Sequence, residues 1–286
     1  MTTIALAAPE AARLLARARR ENFPVASRWL SRAQRTHLFA LYGFARLADE
    51  LGDEAKGNRL ALLDELDRDL DRLFAGAEPR APQLARLAPT VRELRLPELP
   101  FRQLVEANRQ DQCVTRYARW EELRAYCALS ANPVGRLVLH VFDAATPERF
   151  APSDAICTAL QLIEHCQDVA EDLARGRLYL PAEDLARFGV DEADLGASRS
   201  SERVRALLRF EVARVRALLA SGTPLVRSLR GRARLAVAGF VAGGCAAADG
   251  IEHRGFDVLA APPRTRRRDF LRRLPGAWLR LPGAWR

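Results

Sequence analysis

QLIEHCQDVAEDLARGRLYLP, residues 161–181, is the stretch on which the reading of this chain turns. Asp168 and Asp172 stand four apart, and a basic exit, Arg175-Gly176-Arg177, follows them. An earlier stretch answers it: YGFARLADELGD, residues 42–53, places Asp49 and Asp53 four apart as well. On a helix, residues at i and i+4 share a face. Each stretch therefore offers two carboxylates pointing the same way. Two such pairs facing each other would make an oxygen-lined site for hard divalent cations and a phosphate-bearing substrate.

Both stretches read as helix. Over 153–175, the spacing predicts a central helix whose stripe Leu162, Cys166, Val169 and Leu173 faces a core. Gln161, His165, Asp168 and Asp172 fall on the neighbouring stripe, with Glu164 beside it. Carboxylates buried that close repel unless a cation neutralises them. His165 reads as a satisfied structural histidine rather than a ligand, and the oxygen-rich set suits Mg²⁺ better than Zn²⁺. Over 33–54, Leu41, Phe44, Ala48 and Leu51 form the core stripe. Tyr42, Arg46, Asp49 and Asp53 form a second, polar one.

The remaining chain is helical in pattern. Hydrophobic residues make up 49%, Ala, Leu and Arg dominate, and no Val/Ile/Thr run bounded by turn residues requires a sheet. Pro24 interrupts ENFPVAS after a first helix over 9–20, which reads as an interhelix turn or a substrate flap. Residues 59–75 form an outer amphipathic helix. Its Asp64, Asp67, Asp69 and Asp71, interleaved with arginines, belong to an exposed ion-paired face. Tyr126 lies on a helix interrupted at Ser130–Gly135, where Pro133 inside the helix would bend it. Close helix packing and the wall of an apolar pocket are both open readings there. Residues 182–196 read as a loop or short helix, and 201–221 and 224–248 as two long helices.

Charge and cysteine content bound the function. The net charge is +9, but residues 264–286 carry eight Arg and one Asp, leaving +2 on the other 263 residues. That concentration speaks against a nucleic-acid-binding protein as a whole. Two domains are read, 1–260 and the basic Arg/Trp-rich tail 261–286. The tail suits either a membrane headgroup region or disordered chain. Five Cys without regular spacing and no signal-peptide pattern place the chain in the cytoplasm, with contact at the inner membrane face through the tail left open. No apolar run reaches the ~20 residues that span a bilayer, and 235–248 reads as a packed core helix.

Two aspartate pairs, 119 positions apart from Asp49 to Asp168, with a Tyr-bearing interrupted helix between them, are more specific together than any piece alone. The set resembles the squalene/phytoene synthase family of head-to-head prenyl transferases, strongly over residues 20–190 and loosely to 255. ENFPVAS, RQDQ (109–112), YCALSANPVGRLVL (126–139) and QDVAEDLARGRLYLP (167–181) look most like its hydroxysqualene synthases. The resemblance implies an all-α, single-domain isoprenoid synthase fold with a central active-site cavity. It implies Mg²⁺ held by Asp49, Asp53, Asp168 and Asp172, with Glu164 where relatives have Asn and Gln167 where relatives often have Arg. Tyr126 would stand near the reacting carbons. Asn22, Phe23, Tyr42, Arg46, Gln161 and Arg177 would bind substrate. The implied reaction is the Mg²⁺-dependent conversion of presqualene diphosphate to hydroxysqualene with release of diphosphate. Presqualene diphosphate, squalene (with NADPH) or phytoene synthesis, and a silent membrane-associated homologue, are the competing readings. The implied partners are a prenyl diphosphate substrate and the pathway enzymes before and after.

Overall fold

The computed structural model describes residues 30–260 together with Arg273 and Ala277; the flap residues Asn22 and Phe23 and the helix expected over 9–20 lie outside them. Along the chain run α1 (Arg32–Asp49), a π-turn (Glu50–Glu54), α2 (Arg59–Phe74), α3 (Pro82–Leu94), α4 (Leu99–Gln110), α5 (Trp120–Ser130), α6 (Asn132–Val141), α7 (Pro147–Gln167), α8 (Val169–Ala174), α9 (Ala182–Phe188), α10 (Glu192–Leu195), α11 (Glu202–Ser228) and α12 (Gly231–His253). Among the described residues there is no strand, only an isolated bridge between Arg116 and Leu178. The all-α reading holds. The helices divide into two compact units, one of residues 30–113 and 133–146, the other of 114–132 and 147–260 with Arg273 and Ala277.

In the first unit, Ser31 and Gln34 form a capping box at the start of α1, each side chain accepting the other's backbone N–H at 3.1 Å. The expected core stripe is buried, with Phe44 and Ala48 each 1% exposed. Phe101 of α4 meets Phe44 edge-on, ring centroids 5.1 Å apart, and Phe74 of α2 at 5.8 Å. Such aromatic pairs add to what area burial alone supplies. Asp64, Asp67 and Asp71 pair with Arg102 and Arg109 as an ion-paired face. Asp69 does not. It is buried and accepts the backbone N–H groups of Arg80 and Ala81 at 2.7 and 2.8 Å. It thereby serves the start of α3, whose own cap residue, Ala81, has no side chain for the purpose.

In the second unit, α7 and α11 pack along their length with α12 beside them. Gly222 makes the approach possible: a Cβ there would lie 2.3 Å from Ile156 Cγ1 and 2.9 Å from the Pro152 carbonyl oxygen. Gly222→Ala is expected to cost about 1–3 kcal/mol, because a backbone oxygen cannot swing away as a side chain can. Urea denaturation would measure it; an unchanged midpoint would show that the contact relaxes freely. Helix α11 runs through Pro224 instead of breaking near it. Leu219, Leu225 and Val226 are buried on either side of the proline, and their burial outweighs the ~3 kcal/mol it costs inside a helix. Helix α12 is long and apolar enough by composition to cross a membrane, yet 72% of its apolar window is buried within the protein, as a core helix requires.

Two further boundaries differ from the sequence pattern. Pro133 does not bend a continuous helix. The chain breaks at Ala131, and Pro133 occupies the first turn of α6, where its missing N–H costs nothing. The expected 153–175 helix begins at Pro147 and breaks at Asp168, which has φ −105° and ψ 14°. The tail is not free chain at its two described positions. Arg273 donates twice to the buried Asp249 of α12, at 2.7 Å each, and Ala277 is 2% exposed. A buried carboxylate needs a cation, and Arg273 and Arg216 supply it.

Candidate active site

The first aspartate pair sits in the first unit, at the end of α1. Asp49 is the last α-helical residue, and Asp53 lies in the π-turn, closed by a bond from Ala55 N–H to the Glu50 carbonyl at 2.8 Å. The sequence expectation of one unbroken helix to residue 54 is corrected by this wider turn. π-turns recur at functional sites. The Asp49 side chain is half-exposed and Asp53 is exposed. Arg46 is mostly buried, with nitrogens 3.9 Å from Asp49, 3.4 Å from Glu50 and 3.5 Å from Glu54. Its Nε is buried without a hydrogen-bond partner. Tyr42, one turn earlier, is half-buried.

The second pair sits in the second unit at the α7–α8 break. Leu162, Cys166 and Val169 are buried and hold α7 and α8 to the core, with Leu173 only partly covered. The neighbouring stripe is left to chemistry. Burial, and then the neighbouring Asp172 and Glu171 carboxylates, push Asp168 up to about 6. His165 is buried, accepts at Nε2 from Gln161 Nε2 at 3.3 Å, and brings Nδ1 to 3.8 Å from Asp172 Oδ2. Glu164 is half-buried beside this stripe.

After α8 the chain turns at Gly176, φ +80°, a left-handed conformation that glycine adopts without strain. Arg116 holds the turn by donating to the Gly176 carbonyl at 2.7 Å while its guanidinium pairs with Glu192 at 2.6 Å. The half-buried Arg177 stands just beyond, its N–H donating to the Asp172 carbonyl at 2.9 Å. Residues 115–118 then run beside 178–183, with Leu178 N–H donating to the Thr115 carbonyl and Ala182 N–H to that of Tyr117, both at 2.9 Å.

That pairing assembles an aromatic wall that the sequence did not reveal. Tyr126 packs against Tyr117 at 5.5 Å and Tyr179 at 5.6 Å, and Tyr179 stacks on His165 at 3.8 Å with 12° between the planes. The chain holds four tyrosines, so three of them converge here. Their recurrence in RYARW, AYC and LYLP was the available signal. His165 proves more than a core filler: it joins the aromatic wall to Asp172.

Among the described residues, no three His, Cys, Asp or Glu side chains gather closely enough to hold a metal ion by themselves. The donor set still fits a hard cation. Asp168 lies beside the Asp172 and Glu171 carboxylates, which His165 and Arg175 offset only in part, and Mg²⁺ takes one or two carboxylates, completing its shell with waters and substrate phosphate oxygens. Carboxylates, the half-buried Arg177 and an aromatic wall can together release an anionic leaving group and shelter the carbocation it leaves.

The profile described as squalene/phytoene synthase matches residues 16–272. The hydroxysqualene synthase of Rhodopseudomonas palustris is 34% identical over 213 residues, 74% of this chain and 72% of that protein. The 15-cis-phytoene synthase of Synechococcus elongatus is 32% identical over 253 residues, 84% and 82% of the two chains. The crystal structure of squalene synthase HpnC from Alicyclobacillus acidocaldarius superposes with a TM-score of 0.79 at 42% identity, covering 87% of this chain and 94% of that one.

Proposed function

The chain belongs to the squalene/phytoene synthase family, an enzyme family acting on prenyl diphosphates, and from that premise we propose that it converts presqualene diphosphate to hydroxysqualene. The observation that carries the reading is the adjacency, within one unit, of Asp168 and Asp172 to the Tyr179–Tyr126–Tyr117 wall through His165. The hydroxysqualene synthase relative supports the choice of product.

Asp49, Asp53, Asp168 and Asp172, with Glu164, would hold Mg²⁺, which when bound supplies charge to neutralise the departing diphosphate. Arg46 and Arg177 bind the phosphates, and Tyr42 and Gln161 orient the substrate. The carbon–oxygen bond to diphosphate breaks and its electron pair leaves with the diphosphate. The tyrosine faces stabilise the cyclopropylcarbinyl cation that remains, and the buried wall excludes water from it. One water oxygen then bonds to the rearranged cation and its proton passes to the released diphosphate.

The phytoene synthase relative favours a second reading, condensation of two prenyl diphosphates. Incubation with Mg²⁺ and presqualene, farnesyl or geranylgeranyl diphosphate, without NADPH, separates the two. Hydroxysqualene from presqualene diphosphate is the expected product; phytoene from geranylgeranyl diphosphate would replace the proposal with the second reading. No turnover of any of the three would leave a silent homologue.

A further inference from the structure

We infer that Asn108 and Gln112 are positioning residues of the first aspartate pair, acting through the π-turn that carries it; this rests on the reading of Asp49 and Asp53 as cation and diphosphate ligands. The π-turn ends the α1 segment, so its last carbonyls have no partner within the helix. Gln112 Nε2 supplies one, donating to the Gly52 carbonyl at 2.9 Å while also bonding the Asn108 carbonyl at 2.9 Å. Asn108 is buried at the end of α4. Its Nδ2 donates to the Leu104 carbonyl at 3.1 Å and reaches Asp49 Oδ1 at 3.5 Å. Its amide lies directly over Gly52, where a Cβ would stand 2.2 Å from Asn108 Oδ1 and 3.0 Å from Cγ.

Gly52 thus lies between Asp49 and Asp53, immediately before Asp53, and it is gripped on two sides. Its glycine answers a need for space. A π-turn is a costly departure from i→i−4 bonding and reverts unless neighbours hold it. Reversion to an α-turn would shift the register by one residue and swing Asp53 by much of the ~100° that one residue subtends. Asn108 and Gln112 prevent that swing and, through the Asn108 amide, orient the Asp49 carboxylate. Groups in this relation to a metal ligand typically change metal affinity about 10–100-fold when removed.

The test measures Mn²⁺ binding in the presence of inorganic pyrophosphate, by electron paramagnetic resonance, with the melting temperature recorded alongside. Asn108→Ala and Gln112→Ala are expected to weaken Mn²⁺ about 10-fold or more, and Asp49→Asn more strongly. Gln112 is only half-buried where Asn108 is buried, so its truncation is the milder of the two should Asn108→Ala lose stability. Gly52→Ala is expected to weaken binding as well. Adding Asn108→Ala to it should restore part of the loss, since the 2.2 and 3.0 Å contacts vanish and only a 3.1 Å contact to Cβ remains. Wild-type Mn²⁺ affinity in both Asn108→Ala and Gln112→Ala, with Asp49→Asn impaired, would overturn the inference and leave the proposed function standing. Wild-type affinity in Asp49→Asn would overturn both.

Discussion

Asp168→Asn is expected to lower kcat on a prenyl diphosphate by at least about a thousandfold while leaving the helices intact. The residue stands at the α7–α8 break with φ −105°, held there by two backbone bonds: its N–H to the Glu164 carbonyl at 2.9 Å, and Asp172 N–H to its own carbonyl at 2.8 Å. Neither bond uses the side chain, so asparagine keeps the backbone. What changes is charge. Burial and the carboxylates of Asp172 and Glu171 already disfavour the ionised form in the metal-free protein. Removing that charge relieves repulsion, so the metal-free variant should melt no lower than the wild type at pH 8. A cation reverses the balance, and the carboxylate becomes the group that binds. Opposite signs for stability and activity in one variant mark a functional site. Steady-state kinetics with a metal-free melting curve would check both. Activity within tenfold of wild type would remove Asp168 from the ligand set.

How much of this site could be read in the chain depends on the range of the interaction. The two aspartate pairs and their core stripes are short-range patterns, and Leu41, Phe44, Ala48, Leu162, Cys166 and Val169 lie where a helical period places them. The breaks were not visible. The π-turn at Glu50–Glu54 depends on Asn108 and Gln112, more than fifty residues away, and nothing within 42–53 announces it. The aromatic wall likewise depends on residues 115–118 lying beside 178–183. Asp69 carried the same local pattern as Asp67 and Asp71, and only the return of the chain at Arg80 and Ala81 separates its role from theirs. Pro224 misled for the converse reason. Local propensity marks it as a stop, and packing against α7 overrides it.

The stability of the second unit is expected to fall as pH rises from about 5 to 8, and Glu211→Gln is expected to remove most of that fall. Glu211 is fully buried on α11. Arg214 donates to both its oxygens, at 2.9 and 2.7 Å, and to the buried Asp184 at 2.8 Å. The guanidinium is also covered by Trp120 and Phe210, at 4.6 and 4.7 Å from the ring centroids. Two buried carboxylates around one cation leave a net negative charge that a single proton cancels. Burial pushes Glu211 up to about 8, Arg214 opposes the shift and Asp184 adds to it. In the unfolded chain the same carboxyl ionises near its ordinary value of 4.5. Between those values the folded state holds a proton that the unfolded state has lost. Unfolding therefore becomes easier with rising pH, by roughly 1.4 kcal/mol per pH unit, and the decline stops above the folded value. Glutamine keeps the shape and has no proton to lose. Urea denaturation at pH 5, 6, 7 and 8 should give a falling free energy for the wild type and a much flatter one for Glu211→Gln. Parallel curves would mean that Arg214 holds Glu211 ionised throughout, and that the triad tolerates its net charge. Glu211→Ala should give a flat curve as well, because it too has no proton to lose, but one lower than that of Glu211→Gln, because it leaves a cavity beside the remaining Arg214–Asp184 pair.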